Sequence, residues 1–335
     1  MNIRPLLLVL VTAIAIAPAI ASAHGGGLDK CGGHEDRGGG GYHVHDWALF
    51  CGCNPKAEEC ILKQTLKPGE SADTTTPTTP TKPTKPAPPS PGTSPPQQSG
   101  NTQIASFNTA KKFAFAVHDE HRITLYCGCR YDGDLVVDHT SCGYQSKSGS
   151  HRATKVEWEH VVPADAFGQS FKEWRDGDPT CVNRKGESFK GRNCARKASS
   201  LFRLMEADIY NLYPAIGEIN NLRSNYSMAD LPGEPREFGQ CDVEIHDGKF
   251  EPRPEIRGDI ARTYFYMDAA YPGRGIISRK NRSLFEAWDR HDPVDTWECE
   301  RAALVAEFQG NVNTIVATAC ENRVKGAVSR EPHHD

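Results

Sequence analysis

The chain has 335 residues, with 39 Lys+Arg against 43 Asp+Glu, 38% hydrophobic residues, 23 Pro and 12 Cys. A formal net charge of −4 gives a nucleic-acid partner no support by itself. An even count of 12 Cys is too many for an ordinary cytosolic enzyme, reads as the disulfide framework of an exported protein and excludes disorder throughout.

In chain order, Arg4 supplies a positive end, Leu6 to Ile20 an apolar core and Ala21-Ser22-Ala23 a small-residue cleavage site, so residues 1–23 are expected to be a signal peptide. The apolar run is shorter than the ~20 residues of a membrane span and is broken by Pro18; no later stretch is apolar enough to span. Residues 24–65 form a small Gly-, His- and Cys-bearing module. Residues 66–103 are expected to be a linker: between Ser71 and Gly100 lie nine Pro and eight Thr, with only Asp73, Lys82 and Lys85 charged, a composition that runs extended and buries no core. Residues 104–335 have globular composition and eight of the twelve Cys.

Within that unit, Ser106 to Tyr126 reads as a helix followed by a short strand reaching Cys127. Leu135 to Val137 and Val156 to Val162 read as short strands, and Ala198 to Leu212 as one helix closed ahead of Pro214, with a second short helix starting at Pro214. Further amphipathic helices are expected over Ile256 to Met267, Ser283 to Arg290 and Asp295 to Phe308. Helices dominate, with a small sheet among them.

The sharpest chemical string is Lys155-Val-Glu157-Trp-Glu159-His160-Val-Val-Pro163-Ala164. An imidazole accepts a proton near neutral pH and a neighbouring carboxylate holds a hard cation. Adjacent strand residues face opposite sides, so the two serve one site only where the strand ends, which Pro163 favours. From Lys172 to Arg203 there are nine basic residues and four acids, a local net of +5 inside an otherwise acidic chain, enough to steer a polyanion. Cys181 and Cys194 are the preferred local disulfide and would staple that loop and orient Arg192. Oxygen-bearing side chains follow, from Glu206 through Asn211 to Asn220, of the kind a magnesium site for phosphodiester chemistry uses.

Glu157-Trp-Glu-His-Val-Val-Pro-Ala164, Gly191-Arg-Asn-Cys194, Met205-Glu-Ala-Asp208, Pro214-Ala-Ile-Gly-Glu218, Asn220 and Arg223-Ser-Asn225, in this order, resemble the endonuclease I family of bacterial periplasmic or secreted nucleases. The resemblance runs on through Tyr126-Cys-Gly-Cys129, Ser141-Cys-Gly-Tyr144, Phe238-Gly-Gln-Cys241 and Trp297-Glu-Cys299, over roughly residues 105–320. It implies an α+β, helix-rich, disulfide-stapled domain with a ββα-metal (His-Me finger) core. It further implies that His160 is the general base, that Glu159 and Asn220 are ligands of one Mg²⁺, with Ca²⁺ or Mn²⁺ as substitutes, and that Arg192 contacts the scissile phosphate. Glu206 would reach the metal through water and Asn211 would orient the site from behind. The implied partners are DNA and RNA without sequence specificity, acted on by a monomer. The eight cysteines of the unit look like the family's disulfide set, so folding and activity should depend on oxidation. Tyr210 stands where relatives commonly carry His, and residues 309–316 lack the Pro-Phe pair associated with that segment.

The amino-terminal string Gly26-Gly-Leu-Asp29-Lys-Cys31-Gly-Gly-His34-Glu-Asp36 with Gly41-Tyr42-His43-Val-His45 resembles the short YHYH-type segments of exported bacterial proteins. His34, His43 and His45 could hold a transition metal, or the segment could be a disulfide-stapled glycine loop. Two rival readings of the whole chain are a catalytically inactive nucleic-acid or surface-binding protein on a nuclease fold, and a zinc metallopeptidase. The second lacks the His-Glu-x-x-His string it needs.

Overall fold

The computed structural model describes residues 98–328 together with 30, 31, 33–36, 41–44 and 53. The expected signal peptide, His45 and most of the proposed module and linker lie outside the described residues. The chain divides into two compact units, Met1–Ala72 and Asp73–Asp335.

In the first unit, strands β1 (Gly33–Asp36) and β2 (Gly41–Val44) form an antiparallel hairpin with His34 opposite His43 and Glu35 opposite Tyr42. A disulfide joins Cys31 to Cys53.

The second unit is mixed α+β. Helix α1 (Phe107–Val117) is capped by Ser106, whose hydroxyl accepts from the Thr109 amide, and buries Ala110, Phe113, Ala114 and Val117 on one stripe. The strand expected to follow it is absent: Ile123 makes only an isolated bridge to Arg130, and Leu135 to Val137 likewise offers bridges alone, with Leu135 at a left-handed φ of 59°. This stretch is held by cross-links rather than by a ladder, through Cys127–Cys241 and Cys129–Cys142.

The central motif is strand β3 (Val156–His160) paired antiparallel with β4 (Leu212–Ile216), Trp158 lying opposite Pro214 and His160 opposite Leu212. Between them run short helices α2 (Ala164–Gly168), α3 (Lys172–Arg175), α4 (Arg192–Ala198) and α5 (Ser200–Glu206). Helix α6 (Gly217–Arg223) follows β4 directly and completes a ββα unit. The single helix expected over Ala198 to Leu212 is therefore two pieces and a strand. Ser199 closes α4 and caps α5, Asp208 caps a 3-10 turn over Ile209–Asn211, and the chain then extends. Pro214 sits inside β4 rather than opening a helix. That is tolerated because the sheet has two strands only, and the Pro214 carbonyl accepts from the Leu125 amide on the other side. At the start of α6 a Cβ on Gly217 would fall 2.7 Å from Glu157 Oε1 and 2.8 Å from the Arg152 carbonyl, so close approach demands glycine there.

A small sheet follows, β5 (Ser227–Met228), β6 (Glu244–His246) and β7 (Lys249–Glu251), in the order β5-β7-β6. Helices α7 (Arg257–Ala270), α8 (Arg279–His291) and α9 (Thr296–Gln309) stand where helices were expected, the first two longer than expected and the third shifted by one residue. Helix α10 (Thr314–Val328) was not anticipated; Cys299–Cys320 ties it to α9.

The helices lock onto the core around a fully buried carboxylate. Asp208 accepts from the hydroxyls of Tyr266 (2.8 Å) and Tyr271 (2.6 Å), from Gln309 Nε2 (2.9 Å) and from the Tyr210 amide (3.1 Å). Burial raises its pKa, and these donors oppose the rise. Tyr210 itself donates to the Asn311 carbonyl at 2.9 Å. Gln98 and Asn101, at the carboxyl end of the expected linker, are buried against this region: Gln98 Nε2 donates to the Val312 carbonyl and Asn101 Nδ2 to the Leu204 carbonyl. Asp208→Ala would orphan several buried donors, each worth ~1–3 kcal/mol. It is expected to lower stability by at least about 3 kcal/mol in chemical denaturation, with the disulfides intact.

Candidate active site

β3 ends at His160, and its last two side chains leave on opposite sides, as strand geometry requires. His160 packs against Phe107, ring centroids 4.8 Å apart, and its Nε2–H donates to the Glu206 carbonyl at 2.8 Å. With Nε2 committed as a donor, Nδ1 carries the lone pair. Burial, then the charge of Arg192, pushes the imidazole pKa down to about 4, so the ring is neutral at physiological pH.

Glu159 is buried on the other side. Its Oε1 accepts from Tyr126 Oη (2.7 Å) and Arg223 Nη1 (2.9 Å), while Oε2 has no hydrogen bond among the described residues. Burial raises its pKa despite the Arg223 charge. Arg223, fully buried, also donates from Nη1 to the His160 carbonyl (2.9 Å) and from Nη2 to the Val161 carbonyl (2.6 Å). Asn220, one turn earlier on α6, donates Nδ2 to Glu157 Oε2 at 3.0 Å, and its Oδ1 has no hydrogen bond among the described residues. Glu157 shares the face of β3 with Glu159 and is itself clamped by Arg152 Nε (2.7 Å) and Nη2 (2.6 Å).

Arg192 opens α4, beside the Cys181–Cys194 disulfide, the pair favoured from sequence. Its Nε donates to Glu206 Oε1 at 2.6 Å, while its two Nη groups make no hydrogen bond among the described residues, and the side chain is 39% exposed. Arg196 takes both Glu206 oxygens, Nε to Oε2 at 2.7 Å and Nη2 to Oε1 at 2.6 Å. Burial alone would raise the Glu206 pKa, but the two arginines outweigh it and hold the carboxyl below its usual range. Asn211 Oδ1 accepts from the Val162 amide (2.7 Å) and its Nδ2 donates to the Val162 carbonyl (2.9 Å), clamping the chain two residues past His160.

His160, Arg192 and Glu206 are thus joined by direct contacts at the end of β3, Glu159 is tied to the His160 carbonyl through Arg223, Asn211 holds the chain at Val162, and Asn220 reaches the same strand through Glu157. His34 and His43 belong to the other unit. Arg223, Tyr126, Arg196, Glu157 and Arg152 are essential parts of this geometry that carried no assignment from sequence. For Arg223 a signal existed: it follows Asn220 by three residues and so shares its helical face. Arg196 stands four after Arg192 on α4 for the same reason.

Among the described residues no three His, Cys, Asp or Glu side chains converge as a metal cage. What the site offers a cation is one carboxylate oxygen, Glu159 Oε2, and one amide oxygen, Asn220 Oδ1. That donor set fits a hard ion that keeps much of its water, and does not fit zinc.

The family model for endonuclease I matches residues 96–320, the span that holds the ββα unit, both arginines of the site and the disulfides around it. The chain belongs to the endonuclease I family. It is 39% identical to an extracellular deoxyribonuclease of Aeromonas hydrophila over 222 residues, 64% of this chain and 91% of the relative. It is 38% identical to a periplasmic deoxyribonuclease of the same organism over 234 residues, 68% and 91% of the two chains. It is 37% identical to the Endonuclease-1 of Buchnera aphidicola subsp. Acyrthosiphon pisum (strain APS) over 223 residues, 65% and 82% of the two chains. The protein is therefore a nuclease of the endonuclease I type, a hydrolase of phosphodiester bonds from a metal-dependent family, and the inactive-binder reading is not favoured. Among the described residues of this endonuclease I chain, no helix is long and apolar enough to cross a membrane.

A depressed imidazole pKa carries a definite sign. Between about 4 and the ordinary value of 6.5 the unfolded His160 binds a proton that the folded one refuses, so its contribution to stability is present above that window and lost as pH falls through it. In the metal-free protein, ¹⁵N spectra should show His160 as the neutral Nε2–H tautomer at pH 7, with protonation delayed to about pH 4.

Proposed function

We propose that this protein is exported through its first 23 residues to the periplasm or beyond, and that it cuts DNA and RNA internally, without sequence or sugar preference, as a monomer. The observation that carries the reading is the arrangement at the end of β3: a neutral imidazole with Nε2 tied to the Glu206 carbonyl, beside an arginine whose two Nη groups make no hydrogen bond among the described residues.

In this reading the His160 Nδ1 lone pair takes a proton from the attacking water. Because Nε2 already donates to a carbonyl, the ring cannot rotate and its tautomer is set before substrate arrives. Arg192 presents its Nη edge to the phosphate while Glu206 holds its Nε from behind, so the guanidinium meets developing negative charge without first having to be ordered. Glu206 is then a positioning residue: both of its oxygens are occupied by Arg192 and Arg196, which leaves little for a water-mediated metal contact. Asn211 fixes Val162 and so the end of the strand that carries the base.

Glu159 Oε2 and Asn220 Oδ1 would hold the divalent ion, Mg²⁺ with Ca²⁺ or Mn²⁺ as substitutes. When bound, such an ion supplies Lewis-acid stabilisation to the phosphate and the departing 3′ oxygen. The products carry 5′ phosphates and 3′ hydroxyls. Recognition through phosphate alone agrees with action on both nucleic acids, and the +5 stretch from Lys172 to Arg203 steers them toward the site.

Oxidised mature protein should degrade supercoiled plasmid and RNA with Mg²⁺ and stop when chelator is added. His160→Ala should lose ~10²–10⁴-fold and Arg192→Ala ~10²–10³-fold in cleavage rate. A folded, oxidised preparation that cuts neither nucleic acid at any divalent-metal concentration would overturn the proposal.

A further inference from the structure

On the α6 side of the site one pair of charges has no task in the reading above. Arg152 stands in a 3-10 turn over His151–Thr154, just ahead of β3, and Glu157 lies within β3. They close a bidentate fork, Nε donating to Oε1 at 2.7 Å and Nη2 to Oε2 at 2.6 Å. The side chains are 45% and 32% exposed, and an ion pair so placed contributes little to folding stability. Its other contacts give it a different meaning. The remaining guanidinium nitrogen, Nη1, donates to Asn221 Oδ1 at 2.5 Å, and Glu157 Oε2 accepts a second bond, from Asn220 Nδ2 at 3.0 Å. One arginine and one carboxylate thus take hold of two consecutive side chains of α6. Gly217, at the head of that helix, makes room for them, since a Cβ there would stand 2.7 Å from Glu157 Oε1.

A primary amide has two ends of nearly equal size and opposite character, an oxygen that accepts and a nitrogen that donates. Half a turn exchanges them, so an asparagine presents its oxygen reliably only where something fixes its nitrogen. An ionised carboxylate does this, because it accepts and never donates. With Nδ2 drawn to Glu157 Oε2, Asn220 Oδ1 is turned away from Glu157 and makes no hydrogen bond among the described residues. Arg152 completes the device by taking both Glu157 oxygens, which keeps the carboxylate from swinging aside. Glu157 and Glu159, two residues apart, share a face of β3, so this anchor and the other oxygen donor of the site hang from one strand.

We propose that Glu157 and Arg152 are positioning residues that fix the amide of Asn220 with its oxygen toward the divalent ion. This rests on the reading of Asn220 as a ligand of that ion, and adds that the ligand is preset by partners which do not touch the metal. Glu157→Gln breaks the arrangement. One orientation of the new amide sets N–H against Arg152 Nε, and the other sets N–H against Arg152 Nη2 and Asn220 Nδ2 together, so neither restores a face made only of acceptors.

The test measures Mn²⁺ binding to the full oxidised mature chain without nucleic acid, from the electron paramagnetic resonance signal of free Mn²⁺. Glu157→Gln should weaken binding ~10–100-fold, the usual cost of losing a partner behind a ligand, with a denaturation midpoint close to wild type. Asn220→Ala should weaken it too, and adding Glu157→Gln to Asn220→Ala should cost no more than about twofold, because the carboxylate acts through that amide. Arg152→Ala should give a smaller loss that likewise vanishes beside Asn220→Ala, and it decides the question if Glu157→Gln does not fold. Mn²⁺ binding left intact by Asn220→Ala overturns the ligand reading and the proposal with it. Weakening by Asn220→Ala, with wild-type affinity in Glu157→Gln and Arg152→Ala, overturns the proposal alone. So does an equal loss from Glu157→Gln with and without Asn220, which marks the carboxylate as a distant charge rather than an anchor.

Discussion

The site depends on one buried cation. Arg223 lies at the last turn of α6 with no solvent exposure, and its guanidinium spans the end of β3, touching Glu159 and the carbonyls of His160 and Val161. A buried arginine is costly unless its donors are taken, and here three of its hydrogen bonds go to three consecutive residues, Glu159 and His160 at the end of β3 and Val161 just beyond it. The helix and the strand are thereby held in one relative position, and Glu159 is kept from collapsing onto a protein partner with both oxygens. Tyr126 shares Oε1 with Arg223, so two donors crowd one oxygen, and the other makes no hydrogen bond among the described residues.

Glu206 performs the matching task on the opposite side of the strand. Its carbonyl sets the tautomer of His160 and its carboxylate aligns Arg192, so one residue couples the neutral imidazole to the half-exposed guanidinium. The coupling is mechanical: a shift of α5 would disturb both groups together. Arg196 matters for the same reason, because it satisfies the second carboxylate oxygen and keeps Glu206 from turning.

Much of this was legible in the residues. The Glu159-His160 pair at the end of an apolar run, a basic loop stapled by Cys181 and Cys194, and the helices carrying Ile260, Phe285 and Val305 each follow from local pattern. What resisted was everything set by long-range contact. Leu212 to Ile216 has the apolar content of either a helix or a strand, and only its partner β3 decides between them. The stretch reaching Cys127 and Leu135 to Val137 read as short strands, but the region is fixed by disulfides, one local to Cys142 and one to Cys241, 114 residues along the chain. The ligand-like side chains were legible as oxygen donors, whereas the donors that occupy the wrong oxygens, Tyr126 and Arg223 on Glu159, are visible only once the chain has folded.

Ser199 has a further consequence for reach. Its amide closes α4 on the Ala195 carbonyl and its hydroxyl caps α5 through Phe202, so the backbone turns at a single residue between two seven-residue helices. Were residues 192–206 one straight helix, the 14 positions separating Arg192 from Glu206 would put them about 21 Å apart along its axis. The turn brings the two side chains to 2.6 Å. A serine outside the cluster thus works as an elbow, and the length of its two arms decides whether Arg192 meets its anchor at all.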